Sequence, residues 1–127
     1  MSDLTEKGMA TRRSVLGDAH VDRAEASKTE LDAPFQAMIT DAAWGHVWSS
    51  QTWTKRERSM VTIALLAGLG NYEELAMHFR ASVNTGTSED DIREALMHVA
   101  IYAGVPYANH AFKIAKQVLA EREQNDA

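Results

Sequence analysis

The sequence predicts an all-α protein, and three observations favour helix along the whole chain. Only two prolines, Pro34 and Pro106, interrupt it. Alanine is abundant, and β-branched residues do not alternate with polar ones as they do in half-buried strands. A chain of 127 residues fits one domain with a full core. We predict a single-domain bundle of about six or seven helices over residues 1–127, with an N-terminal extension of about residues 1–30 and a core of about 31–122.

Composition excludes several classes of function. The chain has no cysteine, which rules out disulfides, thiolate metal sites and thiol redox chemistry. Its net charge is −5 with acids and bases interspersed, so nucleic acid and anionic membranes are not expected partners. The longest apolar run, Met60 to Leu69, is too short to span a bilayer, and the N-terminus lacks the apolar segment of a secretory signal. We expect a soluble, cytoplasmic protein.

The first third of the chain predicts three helices. The first begins at Asp3 as N-cap and ends before Gly17, and the second runs from Asp18 to about Lys28. The third starts near Pro34 and should bury an apolar stripe at helical spacing, formed by Phe35, Met38, Ile39 and Ala42.

Three tryptophans, Trp44, Trp48 and Trp53, lie within ten residues of a connection that has the composition of a loop. So much apolar area must be covered. Two interpretations stay open: a plug in the core or at a subunit interface, and a wall against a bound ligand.

The next two helices carry the main candidates for chemistry. Thr54 and Glu57 form a capping-box pattern before residues 59–69, which are apolar on every face and so predict burial on all sides with help from neighbouring subunits. Gly70 ends that helix, and Asn71 opens another with a second capping-box pattern. Its predicted core stripe is Tyr72, Leu75, Ala76, Phe79 and Val83. Glu74 and His78 lie one turn apart on the flank of this stripe.

Two further helices complete the chain. One begins at Thr87-Ser88 after Asn84-Thr85-Gly86, with Ile92, Ala95, Leu96, Val99 and Ala103 toward the core. Met97 and Ile101 form a second apolar stripe, which predicts a subunit interface. His98 lies near Tyr102 on a third face. The last helix starts at Pro106, and His110 lies opposite its core stripe of Ala108, Ala111, Phe112, Ala115, Val118 and Leu119.

The pair Glu74 and His78 is the leading candidate for catalysis, because residues at i and i+4 can address one point in space. Each candidate also has a structural interpretation. Glu74 and Glu57 fit helix capping, His78 fits a satisfied boundary histidine, and Arg58 and Arg80 fit surface charges. His98 and His110 are individually more typical of structural residues. A metal site would need His98 or His110 beside Glu74 and His78, and no HExxH motif is present.

Several separated motifs stand out along the chain: residues 44–48, WGHVW; 56–66, RERSMVTIALL; 74–80, ELAMHFR; Gly86; and 98–106, HVAIYAGVP. Their content and order resemble those of the carboxymuconolactone decarboxylase family, and the resemblance extends from roughly Arg12 to Leu119. A peroxidase branch of the family carries a CxxC pair on the helix that corresponds to residues 71–85. Asn71 and Glu74 occupy those positions here, so a disulfide-cycling peroxidase is excluded.

The resemblance implies a decarboxylase that converts 4-carboxymuconolactone to the β-ketoadipate enol-lactone and CO2 in aromatic degradation, without a cofactor or metal. It also implies an all-helical homo-oligomer, typically a hexamer. In this reading His78, oriented by Glu74, donates the proton or stabilises the oxyanion, and Arg58 or Arg80 anchors a substrate carboxylate. Glu57, His98 and His110 are second candidates, and Trp44 and Trp48 help exclude water. The rival hypotheses are a metal-dependent enzyme and a non-catalytic oligomeric binding protein on the same scaffold.

Overall fold

The computed structural model describes residues 2–126, which form seven α-helices and one π-helical segment and contain no strand. The helices are α1 (Asp3–Leu16), α2 (Asp18–Ala26), α3 (Ala33–Ile39), α4 (Lys55–Leu69), α5 (Tyr72–Thr85), α6 (Glu89–Tyr102) and α7 (Val105–Asp126), with the π-helical segment Thr40–Trp48 between α3 and α4. The all-α prediction is confirmed. The chain forms two compact units, Met1–Lys55 and Arg56–Ala127. Among the described helices, none combines the length and the apolar character that crossing a bilayer requires.

The first unit is built on the contact between α1 and the π-helical segment. Gly8 of α1 lies against the backbone of Thr40 and Gly45, and a Cβ at Gly8 would collide with the Thr40 carbonyl oxygen. Thr5 Oγ1 donates a hydrogen bond to Asp41 at 2.7 Å, and the hydroxyls of Thr11 and Ser49 lie 2.6 Å apart. Close backbone approach at a glycine therefore fixes α1 on this segment.

Three predictions for the first unit are wrong. Trp44 and Trp48 belong to the π-helical segment rather than to a loop, because wider helical turns leave no signal in a 3.6-residue pattern. The side chain that caps α1 is that of Ser2, which accepts from the Thr5 N–H, and not that of Asp3. Phe35 and Met38 are more than half exposed, so α3 does not bury its apolar stripe within this chain. The spacing marked an apolar face correctly but does not say what covers it.

The second unit packs α4 to α7 around one apolar core. The core includes Ile63 and Ala67 of α4, Leu75 and Phe79 of α5, three residues of α6 and four of α7: Ile92, Leu96, Val99, Ala108, Ala111, Ala115 and Val118. The predicted core faces of α6 and α7 are thereby largely confirmed. Gly86 ends α5 in the left-handed conformation with φ of 76°, as its position after Asn84-Thr85 predicts.

Three details of the second unit differ from the prediction. Val83 is 57 % exposed, because the buried face of α5 continues through Ser82 and Thr85 and not through Val83. Ala103 is exposed, because α6 has already ended at Tyr102. The side chain of Asn71 makes no capping hydrogen bond. Helix α4 leaves Val61, Leu65 and Leu69 exposed on this chain, and this is the apolar outer face whose burial the prediction assigns to neighbouring subunits.

Candidate functional site

Helix α5 carries the pair Glu74 and His78 and begins at a tight corner. Gly70 adopts φ of 73°, and the Asn71 N–H donates to the Leu66 carbonyl at 2.9 Å, which closes the end of α4. Glu74 is exposed in the first turn of α5, where the helix dipole favours a carboxylate. The two residues are four positions apart, so they share one face of the helix.

His78 is more deeply buried than the sequence analysis predicted. Only 7 % of it is exposed, and its Nδ1 atom is shielded from solvent. It follows Leu75 by three positions and precedes Phe79, both of which belong to the core. The residue thus lies within the buried part of α5 and not on its flank, whereas Glu74 on the same face is accessible. One exposed acid and one shielded imidazole therefore occupy neighbouring turns.

The first turn of α4 carries two further candidates. Glu57 is exposed, whereas Arg58 is partly buried and its Nε atom is shielded from solvent. Arg58 is shielded at Nε, yet part of its side chain stays accessible, and such a guanidinium suits the binding of a carboxylate. The preceding residue, Arg56, forms a two-pronged ion pair with Asp91 of α6, with distances of 2.8 and 2.7 Å. No local sequence pattern marks this pair, because 35 positions separate its members.

Arg80 has a different environment from Arg58. It is exposed on α5 and lies 3.6 Å from Glu121 of α7. It borders a cavity of about 530 Å³ with Val118, Glu121 and Arg122. Two positions along a helix correspond to roughly 200° of rotation, so Arg80 faces away from His78. Of the two cations, Arg58 is therefore the better candidate for a site that contains His78.

The other two candidate histidines, His98 and His110, each stack on a tyrosine. The ring of His98 lies on that of Tyr102 with centroids 4.9 Å apart, as their spacing predicted. Both line an apolar groove of about 280 Å³ between α4 and α6, with Leu65 and Leu69 on the other side. His110 stacks on Tyr72 with centroids 3.9 Å apart. His110 therefore lies against the first turn of α5, where Tyr72 precedes Glu74 by two residues. No local sequence pattern indicates this contact.

The tryptophans belong to the first unit. Trp44 and Trp48 are buried there, with ring centroids 5.3 Å apart and planes inclined by 34°. Because most of the surface of these two side chains is buried, the interpretation as a plug in the core is favoured over a wall against a bound ligand. Trp48 also borders a cavity of about 310 Å³ together with the half-exposed Trp53 and Lys55. Among the side chains that the structure describes, those of residues 2–125, no group of three or more histidine and acidic side chains could hold a metal ion.

Comparison with known proteins agrees with the motifs in the sequence. The family model described as "Carboxymuconolactone decarboxylase family" matches residues 33–117. The chain is 39 % identical over 116 residues to the 4-carboxymuconolactone decarboxylase of Acinetobacter baylyi, covering 91 % of this chain and 87 % of that protein.

Two other relatives are similar. A nitrosuccinic acid decarboxylase of Metarhizium robertsii is 34 % identical over 116 residues, covering 91 % of this chain and 81 % of that protein. A 4-carboxymuconolactone decarboxylase from Pseudomonas putida is 50 % identical over 40 residues, covering 32 % of this chain and 83 % of that sequence. All three relatives are named as decarboxylases, which are carboxy-lyases. The chain belongs to the carboxymuconolactone decarboxylase family.

Proposed function

We propose that this carboxy-lyase decarboxylates 4-carboxymuconolactone to the β-ketoadipate enol-lactone and CO2 without a cofactor, in the degradation of aromatic compounds. The observation that carries the proposal is the 39 % identity to a relative of that name over nearly the whole of both chains. The buried His78, on the same face of α5 as Glu74, supplies the group that the chemistry needs.

The reaction requires an electron sink and a proton. When the carboxylate leaves as CO2, the bonding electrons pass through the ring double bond to the lactone carbonyl oxygen. That enolate is then protonated on carbon to give the enol-lactone. The protein therefore has to stabilise the developing oxyanion, deliver one proton and hold the second carboxylate of the substrate. Correctly placed donors contribute about 3–4 kcal/mol each to such a transition state.

We assign the proton donor or oxyanion partner to His78 and its orientation to Glu74. A shielded imidazole suits this role because electrostatic interactions are stronger where water is excluded. Arg58 anchors the carboxylate that the substrate retains, and the exposed Arg80 is the weaker alternative. Glu57, His98 and His110 are second candidates for contact with substrate. Trp44 and Trp48 are assigned a supporting role in excluding water.

A second substrate has a specific observation in its favour, the 34 % identity to a nitrosuccinic acid decarboxylase. Both named substrates are substituted succinates, in which one carbon bears the departing carboxylate and a CH2–COO⁻ arm. In each, that carbon is conjugated to, or bears, a group that accepts electrons: the unsaturated lactone or the nitro group. The same proton donor and the same cation for the retained carboxylate would serve both reactions.

We also propose that the chain works as a homo-oligomer, and specifically a hexamer. Exposed apolar side chains support this, since Leu65, Leu69, Met97 and Ile101 are about half to three-quarters exposed on one chain. A surface with so many large apolar residues is typical of interfaces between proteins.

Purified protein should be assayed with each substrate separately, by loss of lactone absorbance and by release of CO2. The proposal predicts a higher kcat/KM for 4-carboxymuconolactone than for nitrosuccinate, unchanged by dialysis against a chelator. A preference for nitrosuccinate would reverse the assignment of substrate. Loss of activity on chelation, restored by one metal ion, would instead favour a metal-dependent enzyme. Absence of activity on both substrates would favour a binding protein.

A further inference from the structure

We propose that Asp91 is a positioning residue, which holds Arg56 and thereby fixes the first turn of α4, where Glu57 and Arg58 lie. The inference rests on the proposed function, because that function places Arg58 and Glu57 at the site. It assigns a role in the reaction to two side chains that need not touch the substrate.

The carboxylate of Asp91 is held in place by its own helix. It accepts a hydrogen bond from the Ser88 N–H at 3.0 Å, and the Asp91 N–H donates to Ser88 Oγ at 3.1 Å. Together these form a complete capping box at the start of α6. Only 12 % of the Asp91 side chain is exposed. The carboxylate therefore has a fixed position before Arg56 is considered.

The contact with Arg56 is separate from this capping arrangement. Arg56 Nε donates to Oδ2 of Asp91 at 2.8 Å, and Nη2 donates to Oδ1 at 2.7 Å. Two parallel hydrogen bonds define both the distance and the plane of the guanidinium. These bonds, followed by the one from Ser88, hold the pKa of the Asp91 carboxyl well below its usual range. The ion pair is therefore fully charged near neutral pH.

The ion pair acts on α4 because Arg56 lies in the first turn of that helix. Arg56 is the second residue of α4, and Glu57 and Arg58 follow it directly. The N–H groups of a first helical turn lack backbone partners within the helix, so this turn is the part most free to fray. About half of the Arg56 side chain is exposed, and an isolated exposed ion pair contributes little to global stability. We therefore expect the ion pair to affect the position of this turn more than the free energy of unfolding.

Five single variants separate positioning from capping and from charge. Arg56→Met and Asp91→Asn break the ion pair. Ser88→Ala removes the hydroxyl that caps α6, and it keeps both the backbone N–H bond to the Asp91 carboxylate and the ion pair. Arg93→Met is the matched control, because Arg93 forms a 2.8 Å ion pair with Asp90 on the exposed side of the same helix turn. Arg56→Lys keeps the charge but loses the two-pronged geometry, and it serves if Arg56→Met does not fold.

The main readouts are kcat/KM with 4-carboxymuconolactone and hydrogen–deuterium exchange of the peptide spanning residues 55–62. Arg56→Met and Asp91→Asn should each lower kcat/KM about 10- to 100-fold, the scale expected for a displaced catalytic group. The double variant should be no worse than either single variant, because the two residues act as a unit. Exchange in residues 55–62 should rise in these variants, and Arg56→Lys should show an intermediate effect. Ser88→Ala should lower the melting temperature and leave kcat/KM within about twofold, since it leaves the ion pair in place.

Wild-type kcat/KM and exchange in both Arg56→Met and Asp91→Asn would overturn the inference. An equal loss of activity in Ser88→Ala would also overturn it, because the effect would then arise from capping of α6. If the wild-type protein does not turn over the lactone, the proposed function fails, and the exchange measurement still decides whether Asp91 fixes the first turn of α4.

Discussion

Arg122 of α7 is bonded to α5, because its Nη2 atom donates to the Phe79 carbonyl at 2.9 Å and to Ser82 Oγ at 3.1 Å. Phe79 directly follows His78, so this contact holds the helix beside the proposed proton donor. Arg122→Met removes a charge-assisted hydrogen bond to a buried segment and should lower the free energy of unfolding by about 1–3 kcal/mol. Urea denaturation measures this loss. Lys116→Met, at an exposed position on the same helix, is the control and should change stability by less than about 0.5 kcal/mol.

Acid sensitivity of the first unit should depend on Glu25. Lys28 lies 2.7 Å from this carboxylate and lowers the pKa of Glu25, and Arg12, at 3.0 Å, lowers it further. A pKa lower in the folded than in the unfolded state contributes stability that is present above the unfolded-state pKa and lost as pH falls through the folded-state value. Glu25→Gln should therefore be less stable than wild type at pH 7, partly because it leaves the buried Arg12 without this carboxylate.

The measurement is the difference in unfolding free energy between wild type and Glu25→Gln at pH 7 and at pH 3. The difference should shrink at the lower pH, because the wild-type carboxyl is then increasingly protonated. Glu30→Gln, an exposed position nearby, should show no such dependence. A difference that stays constant with pH would show that the charge of Glu25 is not the cause.

Two glycines should respond differently to alanine. At Gly8 a Cβ would collide with the backbone of Thr40, which cannot move as a flexible side chain can, so Gly8→Ala should destabilise by about 1–3 kcal/mol. Gly86 has open space around it but adopts φ of 76°, so Gly86→Ala should cost about 1–2 kcal/mol through backbone strain alone. Gly86→Asn should recover much of that loss, because asparagine tolerates this conformation, whereas Gly8→Asn should recover none. Melting temperatures of the four variants check this.

The second apolar stripe of α6 predicts the oligomeric state. Met97 and Ile101 are 49 % and 77 % exposed on one chain. Met97→Glu combined with Ile101→Glu would bury two unpaired charges at an interface and should dissociate the oligomer, as measured by light scattering after size-exclusion chromatography. Lys113→Glu, an exposed site on α7, is the control for added negative charge. An unchanged molar mass in the double variant would place the interface elsewhere.

Local sequence signals predicted the helices of the second unit well. Gly70 and Gly86 mark the ends of α4 and α5, and the 3.6-residue spacing of Ile92, Leu96 and Val99 identifies the buried face of α6. These features depend on residues within one or two turns of each other. The positions of glycine and the spacing of apolar residues are therefore enough to predict these helix ends and this buried face.

Other features depend on contacts that no local pattern records. The burial of His78 depends on what packs over α5, and spacing alone placed it at the edge of the core. The stacking of His110 on Tyr72 joins two residues 38 positions apart, and the pair of Arg56 with Asp91 joins two residues 35 positions apart. Phe35 is the opposite case. The spacing identifies the apolar helix face to which it belongs, but the sequence does not show what covers that face. For the candidate site, the sequence thus identified residues of the right chemistry but not their environments.

The central claim, that His78 supplies the proton or stabilises the oxyanion, is tested most directly by His78→Gln. Its kcat with 4-carboxymuconolactone should fall about 10²- to 10⁴-fold, the range for loss of a positioned general acid. Circular dichroism and molar mass should match the wild type, and His46→Gln, an exposed histidine in the first unit, should retain full activity. Near-normal turnover by a folded His78→Gln protein would contradict the account.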